Sequence, residues 1–525
     1  MTKNKIQSFL YVIAPALFFW LAWPPRDLFF LSFFAFVPLF LLEDKTRNIR
    51  ASSWLIYSSL LIWNIVISWW VGYAEIYSSI FMLLANSWLM YLPWLGYRKA
   101  RNLVSDQKAL LIFISLWLSF EYLHLNWQIS WPWFTLGNIF AKHNEVVQWY
   151  EITGALGGSL WILTTNVITY ITLKKSEIKA WWKPIGFITI PILLSIPFYI
   201  NNLSDYTSSN NNSHSALLVQ PNIDPYLKFE KDKEILNLNQ MLKLVEPLIN
   251  DSTDYIILPE TAIVEYVNEN YPYRFESIQI LKNFVQEHPQ IHIISGISTY
   301  KFFKKGEPLS QTARETENGD FYDSYNTAIE IDKNGNLDFY HKGKLVPGAE
   351  IMPYPKLFKF LNFLAVDLGG ISGSLGSDKE PKVFDAGNKP NLAPLICYES
   401  VFPGHVAEFC RKGAEILLVI TNDGWWRDTD GYKQHMHYAS LRAIENRREV
   451  LRSANTGITC RIDKLGNIHE QTQWWEKEVI DVEVHSFNNL TFYSQYGDYI
   501  GRFASFIGVF FILGMIVKKK SENVN

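Results

Sequence analysis

The chain has 525 residues, 16% of them aromatic and only 19% charged. Soluble enzymes carry about 25% charged residues, so the composition excludes an ordinary all-soluble protein. A net charge of −3, with no basic stripe in the polar part of the chain, excludes nucleic acid as the expected partner.

The apolar excess is uneven. Residues 9–200 and 499–517 are apolar runs broken by short polar loops, whereas residues 201–498 have the composition of a soluble domain. In chain order the runs are Phe9–Trp23, Leu28–Leu42, Trp54–Gly72, Ile76–Tyr97, Ala109–Leu125, Leu160–Leu173, Ile185–Ile200 and Tyr499–Val517. They predict eight transmembrane helices, several extending past their apolar limits because a span needs roughly 20 residues. Pro24-Pro25-Arg26-Asp27 predicts a tight hairpin between the first two. The first run has a basic flank like a signal peptide, but it leads straight into another span without a small-x-small cleavage site, so it is expected to be retained. Basic residues cluster before the first run (Lys3, Lys5) and after the second (Lys45, Arg47, Arg50). They recur after the fourth (Arg98, Lys99, Arg101), the sixth (Lys174, Lys175, Lys179, Lys183) and the last (Lys518, Lys519, Lys520). With eight spans all these segments fall on one side. Both termini are then cytoplasmic and the polar domain extracytoplasmic. Trp69, Trp70, Trp127, Trp131 and Trp133 suit the membrane interface, where aromatic side chains anchor helices.

Asn201–Ser215, rich in Asn and Ser, reads as a linker. Beyond it, Ala216–Gln220, Tyr255–Leu258, Ile291–Ser295, Thr327–Ile331, Ala393–Ile396, Ile416–Thr421 and Gly457–Ile462 predict strands. Lys231–Ile249, Tyr273–Glu287, Val401–Lys412 and Tyr432–Asn446 predict helices. This alternation predicts α/β layers with both sheet faces covered. The glycine-rich run Gly369–Gly376 lacks the Gly-Lys-Ser/Thr ending of a phosphate loop and reads as a flexible loop.

Three residues in this domain carry potential chemistry. Glu260 ends the apolar run Tyr255-Ile-Ile-Leu-Pro-Glu260. Lys342 lies in Tyr340-His-Lys-Gly-Lys-Leu-Val-Pro347. Cys397 ends Leu392-Ala-Pro-Leu-Ile-Cys397 at a predicted strand-to-helix turn, where helix N-terminal dipoles are expected to lower a thiol pKa. A thiol, a carboxylate and an ammonium together suit covalent acyl chemistry: nucleophile, base and stabiliser of the developing negative charge. Singly, they read as a core cysteine, a solvated loop carboxylate and a surface lysine, and Lys344 matches Lys342 in chemistry. Glu350 and Glu399 are further carboxylates close in sequence to the lysine and the thiol. Three cysteines are an odd number for an oxidising compartment, so one free thiol is expected, with Cys410 and Cys460 structural. No Cys/His spacing suggests a metal site.

Taken together, and in this order, Leu258-Pro-Glu-Thr-Ala-Ile263, Tyr340-His-Lys-Gly-Lys-Leu-Val-Pro-Gly-Ala-Glu350 and Ile396-Cys-Tyr-Glu-Ser-Val-Phe-Pro403 resemble the nitrilase superfamily. With the apolar runs, and with Trp131-Pro-Trp-Phe-Thr-Leu-Gly-Asn138 and Gln148-Trp-Tyr-Glu-Ile-Thr-Gly-Ala-Leu-Gly-Gly-Ser159, the chain resembles bacterial apolipoprotein N-acyltransferases over nearly its whole length. Two departures are Pro347-Gly-Ala-Glu350, where the family often reads Pro-Phe-Gly-Glu, and Glu121-Tyr-Leu-His124, where it often has an arginine.

The resemblance implies a nitrilase-like αββα sandwich inserted before the last helix of an eight-helix transmembrane bundle. Residues 1–200 would be the seven-helix part, 214–487 the carbon–nitrogen hydrolase domain and 499–517 the eighth helix. It implies Glu260 as base, Lys342 rather than Lys344 as oxyanion stabiliser and Cys397 as nucleophile, supported by Glu350, Tyr398 and Glu399. No cofactor or metal is expected. The implied partners are a membrane phospholipid as acyl donor, a diacylglyceryl apolipoprotein as acceptor and the bilayer of the bacterial cytoplasmic membrane. Val346–Gly376, with its apolar patch Leu357–Leu364, and the segment after Asn422 are the candidate covers of the site. Two other readings remain open: a membrane-anchored nitrilase-like amidase, and a non-enzymatic membrane scaffold with a degenerate domain.

Overall fold

The computed structural model describes residues 3–45, 49–208, 213–229, 233–355 and 374–522. Two compact units divide the chain: Met1–Gly72, Ile76–Asn201 and Tyr496–Asn525 in one, and Tyr73–Glu75 with Asn202–Gln495 in the other.

The first unit is helical. Among the described residues, six of the predicted runs form helices long and apolar enough to cross a bilayer: Arg50–Tyr73, Ile76–Arg101, Asp106–Asn126, Ala155–Lys175, Ile178–Ser204 and Tyr499–Val517. The remaining two differ from a plain span. The first forms a helix whose apolar part, Ile6–Ala22, is shorter than these. The second, Leu28–Leu42, breaks into a 3-10 segment Phe29–Phe34 and a nine-residue helix Val37–Lys45. At 1.5 Å per residue that helix is about 14 Å long, roughly half the hydrocarbon thickness. The break is sustained by Asn166, whose amide donates to the Ser32 carbonyl at 2.8 Å and accepts from the Phe36 N–H at 2.8 Å. Such satisfaction is what permits irregular backbone in an apolar setting.

The segments Trp131–Asn138 and Gln148–Ser159 interlock through small residues. A Cβ on Gly137 would lie 1.9 Å from the Ala155 carbonyl oxygen, and one on Gly158 would lie 1.7 Å from the Tyr150 hydroxyl. The same hydroxyl donates to the Gly137 carbonyl at 3.0 Å, and Ser159 accepts from the Gly137 N–H at 3.0 Å. Trp70 and Trp133 are both buried, with their rings 5.1 Å apart, so they pack within the helical unit.

Among the described residues the second unit contains thirteen strands in two sheets. They are β1 (Ser213–Gln220), β2 (Thr253–Ile257), β3 (Ile263–Asn268), β4 (His292–Phe302), β5 (Arg314–Glu315), β6 (Phe321–Ile331), β7 (Leu337–His341), β8 (Leu392–Ile396), β9 (Ile416–Thr421), β10 (Val450–Ala454), β11 (Cys460–Ile462), β12 (Ile468–His469) and β13 (Glu478–His485). The larger sheet runs β13-β1-β2-β4-β6-β5, with β3 on β4 and β7 on β6; the smaller runs β12-β11-β10-β9-β8. Strand alternation sorts the side chains of the larger sheet. Ala216, Leu218, Tyr255, Ile257 and Ile294 share a core with β8, β9 and β10 of the other sheet. The intervening Leu217, Val219, Ile256 and Ile293 pack on helices Glu234–Val245 and Glu276–Glu287. Helices Pro403–Arg411 and Asp430–Asn446 contribute Phe409, Met436 and Ala439 to the core that includes the smaller sheet. This is the αββα layering expected. The N-terminal end of the predicted helix Lys231–Ile249 lies partly outside the described residues, and its described part begins at Glu234.

Candidate active site

The site is built where strands end. Beyond β2 the chain turns at Pro259-Glu260-Thr261 and presses against Gly296 of β4. A Cβ there would lie 2.4 Å from the Thr261 nitrogen and 2.6 Å from the Glu260 Cα. The absent side chain is therefore what lets the Glu260 backbone lie against the sheet. The Glu260 carboxylate accepts from Lys342 Nζ at 3.2 Å and Asn326 Nδ2 at 2.8 Å on Oε1, and from the Asn422 N–H at 3.1 Å on Oε2.

Lys342 follows β7, and its N–H donates to the Asn326 carbonyl at 2.9 Å. Its ammonium, 1% exposed at the side chain, also donates to Glu350 Oε1 at 2.9 Å. Burial alone would lower this lysine, but the Glu260 and Glu350 carboxylates outweigh it and hold the ammonium well above its ordinary range. Glu350 is itself pinned: Oε1 also accepts from Asn326 Nδ2 at 3.0 Å, and Oε2 accepts from the Val346 N–H at 2.8 Å. Lys344 is directed elsewhere, its ammonium 5.3 Å from the centre of the Phe402 ring.

Cys397 follows β8 as the first residue of a 3-10 turn, Cys397–Val401, with φ +53°. A non-glycine residue in that region is uncommon and marks a strained position. Three contacts hold the turn. Ser400 Oγ donates to the Cys397 carbonyl at 2.8 Å, and His435 Nε2 lies 3.1 Å from the same carbonyl and 2.9 Å from Ser400 Oγ. His435 Nδ1 lies 3.0 Å from Asp423 Oδ1, and Asp423 is paired with Arg452. The expected lowering of the Cys397 thiol does not occur. Burial and the Glu260 charge push it up, outweighing the Lys342 ammonium, and a five-residue 3-10 turn offers little dipole to oppose them. The resting thiol therefore keeps its proton, and a base must remove it at the moment of attack. All three cysteines are free; burial pushes Cys410 up to about 11 and Cys460 up to about 12.

Tyr398 is buried with its ring edge-on to Phe402. Glu399, fully buried, ties the lysine segment to the cysteine turn. Its Oε1 accepts from the Tyr340 hydroxyl at 2.5 Å and the Gly343 N–H at 2.7 Å and lies 3.0 Å from His405 Nε2, while Oε2 accepts from the Ile396 N–H at 2.8 Å. Burial would raise this carboxyl, but His405 and these donors hold it below its ordinary range. Of the six candidates, Glu260, Lys342 and Glu350 are thus joined by direct contacts, the charges of Glu260 and Lys342 both act on the Cys397 thiol, and Glu399 serves as a clamp. Sequence reading missed His435, one of two histidines in the helix Asp430–Asn446, and gave Asn326, Asn422 and Asp423 no role.

A two-sheet sandwich with helical outer layers, carrying a carboxylate, a lysine and a cysteine at its strand ends, defines a carbon–nitrogen hydrolase domain on a chain with apolar helices. The family model for Carbon-nitrogen hydrolase matches residues 218–487, and that for the Apolipoprotein N-acyltransferase N-terminal domain matches residues 15–168. An apolipoprotein N-acyltransferase of Chlorobaculum tepidum is 30% identical over 91% of this chain and 90% of its own. One of Geobacter metallireducens is 25% identical over 98% and 96%. A solved nitrilase-superfamily structure from Saccharomyces cerevisiae covers 52% of this chain and 90% of its own at 18% identity, with a TM-score of 0.39. The chain belongs to the apolipoprotein N-acyltransferase family.

Proposed function

We propose that this chain is a phospholipid-dependent N-acyltransferase that acylates the α-amine of the diacylglyceryl-cysteine at the N-terminus of bacterial lipoproteins, through a thioester on Cys397. The observation that carries the reading is the buried Glu260–Lys342–Glu350 contact set acting on a cysteine at a strained turn, in a chain whose described residues include six helices of spanning length.

In the first half-reaction Cys397 Sγ attacks the ester carbonyl of the phospholipid, and its proton passes to Glu260. Lys342 steadies the oxyanion. The carbon–oxygen bond to the glycerol then breaks, and the leaving oxygen takes the proton from Glu260, releasing a lysophospholipid. In the second, the lipoprotein amine attacks the thioester carbonyl and the carbon–sulfur bond breaks. One amine proton moves by way of Glu260 to the sulfur, leaving an amide and a free thiol. Thioester formation keeps the acyl group activated, so neither nucleotide nor metal is needed. Both substrates are held in a membrane, which accounts for a helical unit far larger than a single anchor requires. Water must be excluded for transfer to win over hydrolysis. Of the candidate covers, Leu357–Leu364 lies outside the described residues. The turn Asp423–Trp426 is described, with Trp425 edge-on to Tyr226 and Trp426 edge-on to His435.

We place the domain of residues 214–487 on the extracytoplasmic face, following the Lys/Arg bias of the loops. The test is reconstitution in vesicles with a phospholipid of defined acyl chains and a diacylglyceryl-cysteine peptide. N-acylated peptide and lysophospholipid should appear in equal amounts. Release of free fatty acid in place of N-acylated peptide, with turnover of small amides, would instead support the amidase reading.

A further inference from the structure

Lys228 is a fully buried ionisable side chain without a part in the chemistry above. Its Nζ donates to the Glu260 carbonyl at 3.0 Å and to Thr261 Oγ1 at 3.0 Å. Burial pushes its ammonium down to about 7, the Glu260 charge restoring only part of the loss. A methionine would fill the same space without that desolvation penalty.

The peptide that Lys228 holds needs holding. Thr261 sits at φ +47°, unusual for a β-branched residue, and the turn lies directly against Gly296. The segment carrying Lys228 also reaches the other end of Glu260. Asn222 N–H donates to the Asn455 carbonyl at 2.8 Å. The Asn455 amide donates to the Ile223 carbonyl at 2.7 Å and to Asn422 Oδ1 at 3.1 Å, and the Asn422 N–H binds the Glu260 carboxylate. The stretch Asn222–Lys228 therefore holds the Glu260 backbone directly and is linked, through Asn455, to Asn422, one of three donors to the Glu260 carboxylate.

We propose that Lys228 is a positioning residue: it locks the Pro259–Thr261 peptide so that the Glu260 carboxylate is aimed at the Cys397 thiol. The inference rests on the reading of Glu260 as the base. A base displaced by even 1 Å loses on the order of a hundredfold in rate, so the effect belongs to the chemical step and not to lipid binding.

The test uses the full chain in detergent with Lys228→Met. Two rates are read: thioester formation on Cys397 at saturating phospholipid, and alkylation of Cys397 by iodoacetamide, which needs no lipid. The expected result is a loss of about tenfold or more in both, with the phospholipid KM within about threefold of wild type. Unchanged rates, or a loss carried by KM alone, overturn the proposal. If Lys228→Met does not fold, Thr261→Ala takes its place, since it removes one acceptor and keeps the lysine. A several-fold slowing of alkylation then supports the proposal, and a wild-type rate overturns it. The alkylation comparison separates the two levels of inference. A wild type that forms no thioester removes the phospholipid reading, while alkylation still decides the role of Lys228. Thioester formation that survives in a folded Lys228→Met variant removes only the positioning role.

Discussion

Lys342 and Lys344 lie close in sequence, yet the first meets two carboxylates and the second covers the Phe402 ring. The oxyanion role therefore predicts unequal consequences. Lys342→Ala should slow single-turnover acylation, followed as lysophospholipid release, by about 10²–10³, whereas Lys344→Ala should stay within a few-fold; equal losses would place the role wrongly. His341 gives a pH prediction. Burial alone would lower it, but Asp378 at 3.0 Å and Glu269 at 2.7 Å raise it from 6.5 to about 9. The folded form binds the proton more tightly, so the stabilisation is complete below pH 6.5 and is lost as pH rises through about 9. It amounts to at most about 3 kcal/mol. The melting temperature of His341→Gln should lie below wild type at pH 6, and the gap should narrow by pH 9.5. Lys228, lowered by burial, works in the opposite direction over the same range, so the comparison with His341→Gln is needed to isolate the histidine. The catalytic candidates were legible because strand-end carboxylate, lysine and cysteine segments occur in one order. The family resemblance of Tyr340–Pro347 singled out Lys342 over Lys344, but the grip of His435 on the Cys397 carbonyl does not follow from any spacing, because it depends on which helix meets which strand end.

Glycine positions show what the elements require. Gly296→Ala would drive a Cβ into the Glu260–Thr261 peptide. Overpacking of this kind costs about 1–3 kcal/mol, and here it also moves Glu260. Both melting temperature and acylation rate should fall; a variant with wild-type values of both would show that the turn has slack. Strands buried on both faces, such as β8 and β9, were plain in the sequence as short apolar runs. β3 and β7, which lie off the main path of the larger sheet, carry mixed polar and apolar residues and were not read as strands. The run Leu28–Leu42 misled for a different reason. Its composition is that of a span, but the turn at Ala35 depends on the Asn166 side chain from a distant helix, which no local pattern reveals.

At the scale of the whole molecule the reading joins a helical unit of membrane character to a cysteine-bearing sandwich. The loop bias predicts that, in intact cells, a membrane-impermeant thiol reagent labels a cysteine placed within residues 201–213 and not one placed near Lys175. The reverse pattern would overturn the orientation and with it the compartment. The central claim is that Cys397 carries an acyl group between two lipid-bound substrates. It is tested most directly by intact-protein mass spectrometry after incubation with a phospholipid of known acyl chains. The account predicts a mass increase of one acyl group on the wild type, no increase on Cys397→Ala, and loss of the increase when a diacylglyceryl-cysteine peptide is added. An acyl adduct on Cys397→Ala equal to that of the wild type, or no adduct on either, would contradict it.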